Sequence, residues 1–147
     1  RRAFFHINST TVVSRLVEGN FPPYEKVIPL KHKTIVKVNR QSLLDAVDRI
    51  AVMIRGASTI MIKLNIKDNY LFLASGEMEL GKAQERISID QDGENLEIKV
   101  DYRFLFEGLK AITGEVIEMH FNGPEMAILF KSEEMPGFLY IMMPLIV

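Results

Sequence analysis

Apolar residues recur along the chain with the two periods that distinguish strands from helices. β-Branched residues at 33–38 predict a strand, and Asn39 is suited to cap a helix that follows it. Apolar positions at 43–54 then form one stripe of a 3.6-residue period, which predicts a helix that Gly56 ends. At 59–66 the period changes to two, which is typical of a strand with one buried face.

The pattern after residue 66 predicts further strands and a second helix. Two strands and a turn follow, and a further strand then leads into a second helix that Asp101 caps and Gly114 ends. The predicted strands are 70–75, 83–89, 96–100, 116–121, 126–131 and 138–143, and the predicted turns include 67–69 and 90–93.

The order of elements repeats, and so do individual residues. Lys37-Val38-Asn39 matches Lys99-Val100-Asp101, and positions 37 and 99 differ by 62. The helix stripes match at the same spacing, as Leu43 with Leu105, Val47 with Leu109 and Ile50 with Ile112. Such an internal repeat predicts an α+β fold of tandem βαβββ units with approximate twofold symmetry. We expect the two helices to pack on antiparallel sheets and to leave their polar sides side by side.

The first 32 residues have a different character. Short apolar segments around Asn8-Ser9-Thr10 predict a hairpin over 3–17, and three prolines within 21–29 predict an extended connector. A lone hairpin is marginal in water, so we interpret 1–20 as the end of one domain, 21–32 as a linker and 33–147 as the next domain. The chain begins without an initiator Met or a signal-like block, which suggests a piece of a longer protein.

Composition narrows the function classes. A chain of 147 residues with 48% hydrophobic and 25% charged residues can bury one core, which excludes intrinsic disorder. Its 18 basic and 19 acidic residues argue against coating nucleic acid or anionic lipid by bulk charge. The absence of cysteine excludes disulfides, thiolate nucleophiles and cysteine-based metal sites. The longest apolar run, 138–147, is about half of a bilayer span, so we expect no membrane partner.

Catalytic signals are weak. His6, His32 and His120 are the only imidazoles, and no nucleophile or metal-binding motif accompanies them. We therefore predict no catalytic residue, no metal and no cofactor, while a metal enzyme using Asp101 or the glutamate pairs stays an alternative. The apolar tail at 139–147 is the strongest remaining signal, because continuous apolar character indicates burial on both faces or a surface for a partner.

Two segments resemble a known family. Residues 14–29, SRLVEGNFPPYEKVIP, resemble the end of the middle domain and the linker of the bacterial sliding clamp, the β subunit of DNA polymerase III. Residues 140–145, YIMMPL, resemble the carboxyl-terminal motif of that family. The resemblance implies a DNA clamp fold and a head-to-tail dimeric ring of six domains, with helices around the hole, sheets outside and an acidic outer surface. This chain would form the last hairpin of the second domain, the linker and the whole third domain.

The resemblance also implies site residues. Those facing double-stranded DNA would be Arg40, Arg49, Arg103 and Lys110; the alternative is a solvated helix face with Arg49 paired to Asp45. The subunit interface of the homodimer would include Val52, Met53, Glu79 and Glu85. A hydrophobic cleft that binds QLxLF-type peptides would be lined by Pro22, Lys26, Val27, Phe104, Pro124, Met126, Ile141, Met142, Met143, Pro144 and Leu145.

The implied role is that of an accessory protein and not of an enzyme. Its partners would be the polymerase III catalytic subunit, clamp-loader subunits and repair and translesion polymerases, in the cytoplasm at the nucleoid. Met142→Asp should then weaken peptide binding at least about tenfold and leave the fold intact. The chain departs from the residues common in the family at Asp101, Phe104 and Ile146. The aspartate at 101 lacks the amide donor of the usual asparagine, which weakens the implied polar contact to a peptide there. The main rival is a β-rich interaction module without a role on DNA.

Overall fold

The computed structural model of the chain describes residues 1–54, 60–76 and 81–146. The predicted helix stop at Gly56 and the predicted interface residue Glu79 lie outside these ranges. The elements in chain order are β1 (Arg2–Ile7), β2 (Thr10–Arg15), β3 (Thr34–Asn39), α1 (Arg40–Ile54), β4 (Met61–Lys67), β5 (Tyr70–Ser75), β6 (Gln84–Ser88), β7 (Asp90–Gly93), β8 (Leu96–Asp101), α2 (Tyr102–Ala111), β9 (Val116–Phe121), β10 (Ile128–Lys131) and β11 (Tyr140–Met142).

The two repeat units exchange their first strands. The five-stranded sheet has the order β11-β10-β9-β3-β7, and the four-stranded sheet has the order β6-β5-β4-β8. Strand β3 therefore pairs with β9 of the second unit, and β8 pairs with β4 of the first, both antiparallel. The backbone repeats this symmetry, because the amide of Arg40 donates to Glu115 O and the amide of Tyr102, 62 positions later, donates to Ile60 O. Neither unit can complete its sheet without the other.

One hydrophobic core joins both sheets and both helices. Helix α1 packs on β3, β5 and β6, α2 packs on β8 and β11, and the helices contact each other. The apolar positions that repeat at the 62-residue spacing all have no exposed surface, which confirms the predicted helix stripes; they are Leu43, Val47, Ile50, Leu105, Leu109 and Ile112. Burying such side chains contributes roughly 1.5 to 3 kcal/mol each.

Both predicted helix caps are present. The Asn39 side-chain oxygen accepts from the Ser42 amide at 2.9 Å, and an Asp101 oxygen accepts from the Arg103 amide at 2.9 Å. Each bond satisfies a backbone donor that the first turn of a helix leaves free. The predicted turn at 67–69 is also confirmed, since Asp68 and Asn69 both have positive φ, as a two-residue hairpin of the primed type requires.

Several predicted boundaries are wrong for identifiable reasons. Residues 90–93 form strand β7 and not a turn, because β3 has one free edge that this segment pairs with. Helix α2 ends at Ala111, three residues before Gly114, because Ile112 adopts an extended backbone and turns its side chain into the core. The linker is not wholly extended, since Tyr24–Lys26 forms a 3-10 helix within it.

Candidate functional site

The carboxyl-terminal segment connects the two sheets. In β11, Met142 lies opposite Ile128 and Tyr140 lies opposite Phe130 of β10. Three residues after the strand, the Leu145 amide donates a hydrogen bond of 2.8 Å to the Lys99 carbonyl oxygen on β8. Because β11 and β8 are the edge strands of the two sheets, this segment, here called the tail (residues 139–146), bridges the two edges.

The tail is apolar on both faces, and only one of them is buried. Met142 is 3% exposed and belongs to the core, and Pro144 is buried as well. Met143, Leu145 and Ile146 alternate with or follow them and are 63%, 36% and 75% exposed. The tail is therefore not buried on both faces, and of the two alternatives from the sequence the one with an exposed apolar surface applies. The expectation that Met142→Asp leaves the fold intact is wrong, because that carboxylate would enter the core.

Tyr140 fixes the tail against helix α2. Its hydroxyl donates to the Phe104 carbonyl oxygen at 2.8 Å, and its ring lies 5.7 Å from that of Phe130. The ring also covers Gly108, where a Cβ atom would overlap it. Burial, followed by the charge of Glu107, raises the pKa of Tyr140 above its usual value, so the hydroxyl remains a donor. Phe104, 52% exposed, is thereby held beside the tail.

The loop after β9, at residues 122–127, lies beside the end of the tail. Gly123 has a φ of 145°, and its carbonyl oxygen accepts from the Met126 amide at 3.4 Å, which closes a tight turn around Pro124. Pro124 shares a cavity of about 150 Å³ with Leu145, Ile146 and the β8 segment at 97–99. Met126 is 51% exposed at the rim of this loop. Of the predicted cleft residues, the structure therefore places Pro124 from this loop beside Leu145 from the tail.

The predicted cleft residues of the linker stand apart. Pro22 and Lys26 are exposed, and Val27 is 63% exposed. Their backbone hydrogen bonds are local, from the Lys26 amide to Pro23 O and from the Val27 amide to Tyr24 O. Across residues 1–54, 60–76 and 81–146, no hydrogen bond or ion pair joins them to the tail.

The four arginine and lysine candidates on the helices are largely engaged. The Arg40 side chain donates to Leu109 O at 3.0 Å, at the carboxyl end of α2, where a cation is favourable. The Arg103 side chain pairs with Asp101 at 2.7 Å. The Lys110 ammonium lies 5.3 Å from the centre of the Phe106 ring and, among the described residues, has no ion pair. The charged residues of the described helices are Arg40, Asp45, Asp48, Arg49, Arg103, Glu107 and Lys110, four basic and three acidic.

Arg49 forms a bidentate pair that sequence reasoning did not find. Its guanidinium donates to both Glu85 carboxylate oxygens, at 2.8 and 2.9 Å. The alternative pairing of Arg49 with Asp45 is not formed as an ion pair, and Asp45 accepts from the Gln41 amide group at 2.6 Å. The Arg49 hydrogen bonds lower the pKa of Glu85 below its usual value although burial opposes this. A residue predicted to face DNA is thus bound to one predicted to form an interface.

The other two described interface candidates, Val52 and Met53, lie in the last turn of helix α1. Val52 is 63% exposed and Met53 is half-buried, so an apolar contact remains available at the helix end. Sequence reasoning did not identify the contact of Tyr140 with Gly108, which holds the tail against α2. Gly108 carries a signal that would have indicated this, because a glycine between Leu105 and Leu109 weakens the helix and points to a close approach by another group.

The described part of the chain has neither a membrane-crossing helix nor a group of metal ligands. Neither α1 nor α2 has the length and apolar character of a membrane-crossing helix. Within residues 1–54, 60–76 and 81–146, no three histidine, aspartate or glutamate side chains are grouped so that they could hold a metal ion.

The chain is similar in sequence and in structure to proteins of one family. Residues 25–146 match the family described as DNA polymerase III beta subunit, C-terminal domain. The beta sliding clamp of Caulobacter vibrioides is 32% identical over 141 residues, which is 96% of this chain and 38% of that protein. The beta sliding clamp of Bacillus subtilis is 28% identical over 145 residues, 97% of this chain and 38% of that protein. The crystal structure of the β subunit from Thermotoga maritima superposes with a TM-score of 0.90 at 31% identity, over 100% of this chain and 40% of that one.

Proposed function

The chain belongs to the family of bacterial DNA polymerase III β subunits, and from this premise we propose that it forms part of a sliding clamp, the processivity factor of the replicative polymerase. The chain spans about 38% of the length of the curated relatives it matches. The ring, its substrates and its partners are therefore properties that we propose for the longer protein.

One observation supports the ring most strongly. The two units exchange β3 and β8, so α1 and α2 are related by an approximate twofold axis and contact each other. A domain with paired helices on one side and sheets on the other can be repeated around a hole, with the helices toward duplex DNA. In this arrangement the ring holds DNA topologically and makes no base contacts, which would stop it at one sequence.

The charge on the described helices suits sliding. Four basic and three acidic side chains give the pair of helices a net charge of +1, so attraction to phosphate is weak and not sequence-specific. Arg40, Arg49 and Arg103 already donate to protein oxygens, which limits how firmly they can bind a phosphate. We propose that Lys110 and any of these three arginines that can exchange partners contact DNA transiently.

The open face of the tail supports a second role, the capture of short peptides. Leu145 shares a cavity with Pro124, and Met143, Phe104 and Met126 are further exposed apolar side chains on the tail, on α2 and on the loop after β9. A buried leucine or phenylalanine from a QLxLF-type motif contributes roughly 1.5 to 3 kcal/mol, which is enough for a micromolar anchor with a few polar contacts. Such a motif would be carried by the polymerase catalytic subunit, the clamp loader and repair or translesion polymerases, which would exchange at one site.

The amino-terminal hairpin supports the proposed domain division. Apolar side chains project from both faces of β1 and β2 and are about half exposed. A two-stranded ribbon of this kind requires a further surface to cover it. We propose that the remainder of the middle domain covers it and brings Pro22, Lys26 and Val27 to the cleft, in a homodimeric, cytoplasmic, nucleoid-associated protein.

Primer extension on a long single-stranded template tests this function. The longer protein containing this chain, with its clamp loader and polymerase, should extend each primer to the end of the template, whereas the polymerase alone should give short products. A Met143→Asp/Leu145→Asp variant should give short products while retaining its fold. Equal product lengths with and without the protein would contradict the proposal.

A further inference from the structure

The outward face of the four-stranded sheet is basic. Residues that point away from the core alternate along each strand and lie opposite one another in the register. They are Met61, Lys63, Asn65 and Lys67 from β4, Tyr70, Phe72 and Ala74 from β5, Gln84, Arg86 and Ser88 from β6, and Glu97 and Lys99 from β8. Asp101, at the end of β8, is turned to α2 as its cap.

This face carries four cations and one anion, a net charge of +3, compared with +1 for the described helices. The expectation of an acidic outer surface, which came from family resemblance, is wrong for this sheet. Lys63 is paired with Glu97 at 3.0 Å and Lys67 with Asp68 at 3.8 Å. Among the described residues, Arg86 and Lys99 have no ion pair, so their charge is available to a ligand.

Two aromatic rings and a guanidinium group lie together on the same face. The Tyr70 and Phe72 ring centres are 6.2 Å apart, and the rings are 36% and 39% exposed. The Arg86 guanidinium carbon lies 4.8 Å from the Tyr70 ring centre. The strands thus present two exposed rings, tilted by 52° to each other, with a cation beside them, and exposed rings with a cation are the combination that accepts bases together with phosphate.

A hollow adjoins these rings. It measures about 250 Å³ and is lined by Phe72, Ala74, Gln84 and Arg86, with the neighbouring backbone of β5 and β6. One wall is thus an exposed ring, another an amide with two donors and an acceptor, and a third a cation. A planar heterocycle attached to a phosphate would meet each wall with the group that it needs.

We propose that this sheet face binds single-stranded nucleic acid. A base stacks on Phe72 and its edge meets the Gln84 amide, while Arg86 and Lys99 bind the adjoining phosphates. Duplex DNA fits this site poorly, because its bases are stacked within the helix and cannot reach Phe72. An acidic peptide would satisfy the cations but not the exposed rings. The proposal is independent of a ring around duplex DNA, since the face lies on the other side of the sheet from the helices.

Fluorescence anisotropy of a labelled 15-mer of thymidine with the 147-residue chain at about 50 mM salt tests this site. Phe72→Ala should weaken binding roughly tenfold, as loss of one stacking ring does. Phe72→Tyr, which keeps the ring, should bind as the parent chain does. Arg86→Gln should weaken binding severalfold and reduce the slope of log affinity against log salt by about 0.7. Lys31→Gln removes the same charge from the exposed linker and should change the affinity less than about twofold.

Several results would overturn the proposal. These are no binding of the 15-mer, equal affinity for a duplex of the same length, equal effects of Arg86→Gln and Lys31→Gln, and full displacement by a glutamate-rich peptide at the same concentration. Circular dichroism and thermal unfolding establish that each variant is folded. Should Phe72→Ala unfold, Phe72→Leu keeps the apolar volume without the π face, and parent-like binding by that variant would equally reject stacking.

Discussion

Met143→Asp is the change that separates the open face of the tail from its buried face. Met143 is 63% exposed and Met142, its neighbour, is 3% exposed. An exposed substitution away from the core changes the free energy of unfolding by less than about 0.5 kcal/mol. Met142→Asp, in contrast, removes a core side chain, which costs about 2 to 5 kcal/mol, and adds a buried charge. We therefore expect Met143→Asp to fold normally and Met142→Asp to lose a large part of the stability of the domain.

The effect on peptide binding follows from the same surface. Covering a methionine side chain that is about two-thirds open returns roughly 1 to 2 kcal/mol, because full burial contributes about 1.5 to 3 kcal/mol. Replacing it with a carboxylate removes this term and adds the cost of desolvating a charge. The affinity for a QLxLF-type peptide should then fall by about tenfold or more, since 1.4 kcal/mol corresponds to a factor of ten.

Fluorescence anisotropy with a labelled QLxLF-type peptide measures this affinity, and urea unfolding measures the stability of each variant. Val116→Asp is a matched control, since Val116 is 44% exposed at the start of β9, away from the tail. It should leave peptide affinity unchanged. If Met143→Asp binds the peptide as the parent chain does while remaining folded, the exposed face of the tail is not part of the binding site and the argument fails.

Two further predictions concern the scaffold. Gly108→Ala should destabilise the chain by about 1 to 3 kcal/mol in urea unfolding, because the added methyl overlaps the Tyr140 ring. Gly76→Ala should not, because its added methyl would meet only the Met61 side chain, at an ordinary contact distance of 4.0 Å. Equal effects of the two changes would contradict the close approach. Burial lowers the pKa of His120 below its usual value, so the unfolded chain binds the proton more readily. The free energy of unfolding should be highest above the unfolded pKa of about 6.5 and should decrease as pH falls below it. His120→Leu should remove this pH dependence. His6→Leu, at an exposed position, should leave it in place. A pH profile unaltered by His120→Leu would exclude that residue as the cause.

Local pattern predicted most of the fold because each element carries its own period. The helix stripes, both caps and the turn at 67–69 depend on neighbouring residues only, and the structure confirms them. Strand β7 could not be predicted from its sequence, Asp90-Gln91-Asp92-Gly93, which is that of a turn. It is a strand because the free edge of β3 lies beside it, and β3 has that edge only after the two units exchange their first strands.

The site was less predictable than the fold for a related reason. The apolar character of the tail is visible in the sequence, but which face is buried depends on its pairing with β10 and on the bond from Leu145 to Lys99. Likewise, Arg49 has an acidic residue four positions before it, yet it binds Glu85, 36 positions later, because β6 places both Glu85 oxygens within reach. Partners that are distant in sequence decide these details.

Retention on DNA of different topology tests the central claim most directly. The longer protein containing this chain, loaded at low salt on a circular duplex, should stay bound and should be lost when a single cut linearises the circle, because it is held by enclosure and slides off a free end. Equal loss from the circular and the linear duplex would contradict the claim that this chain forms part of a ring around DNA.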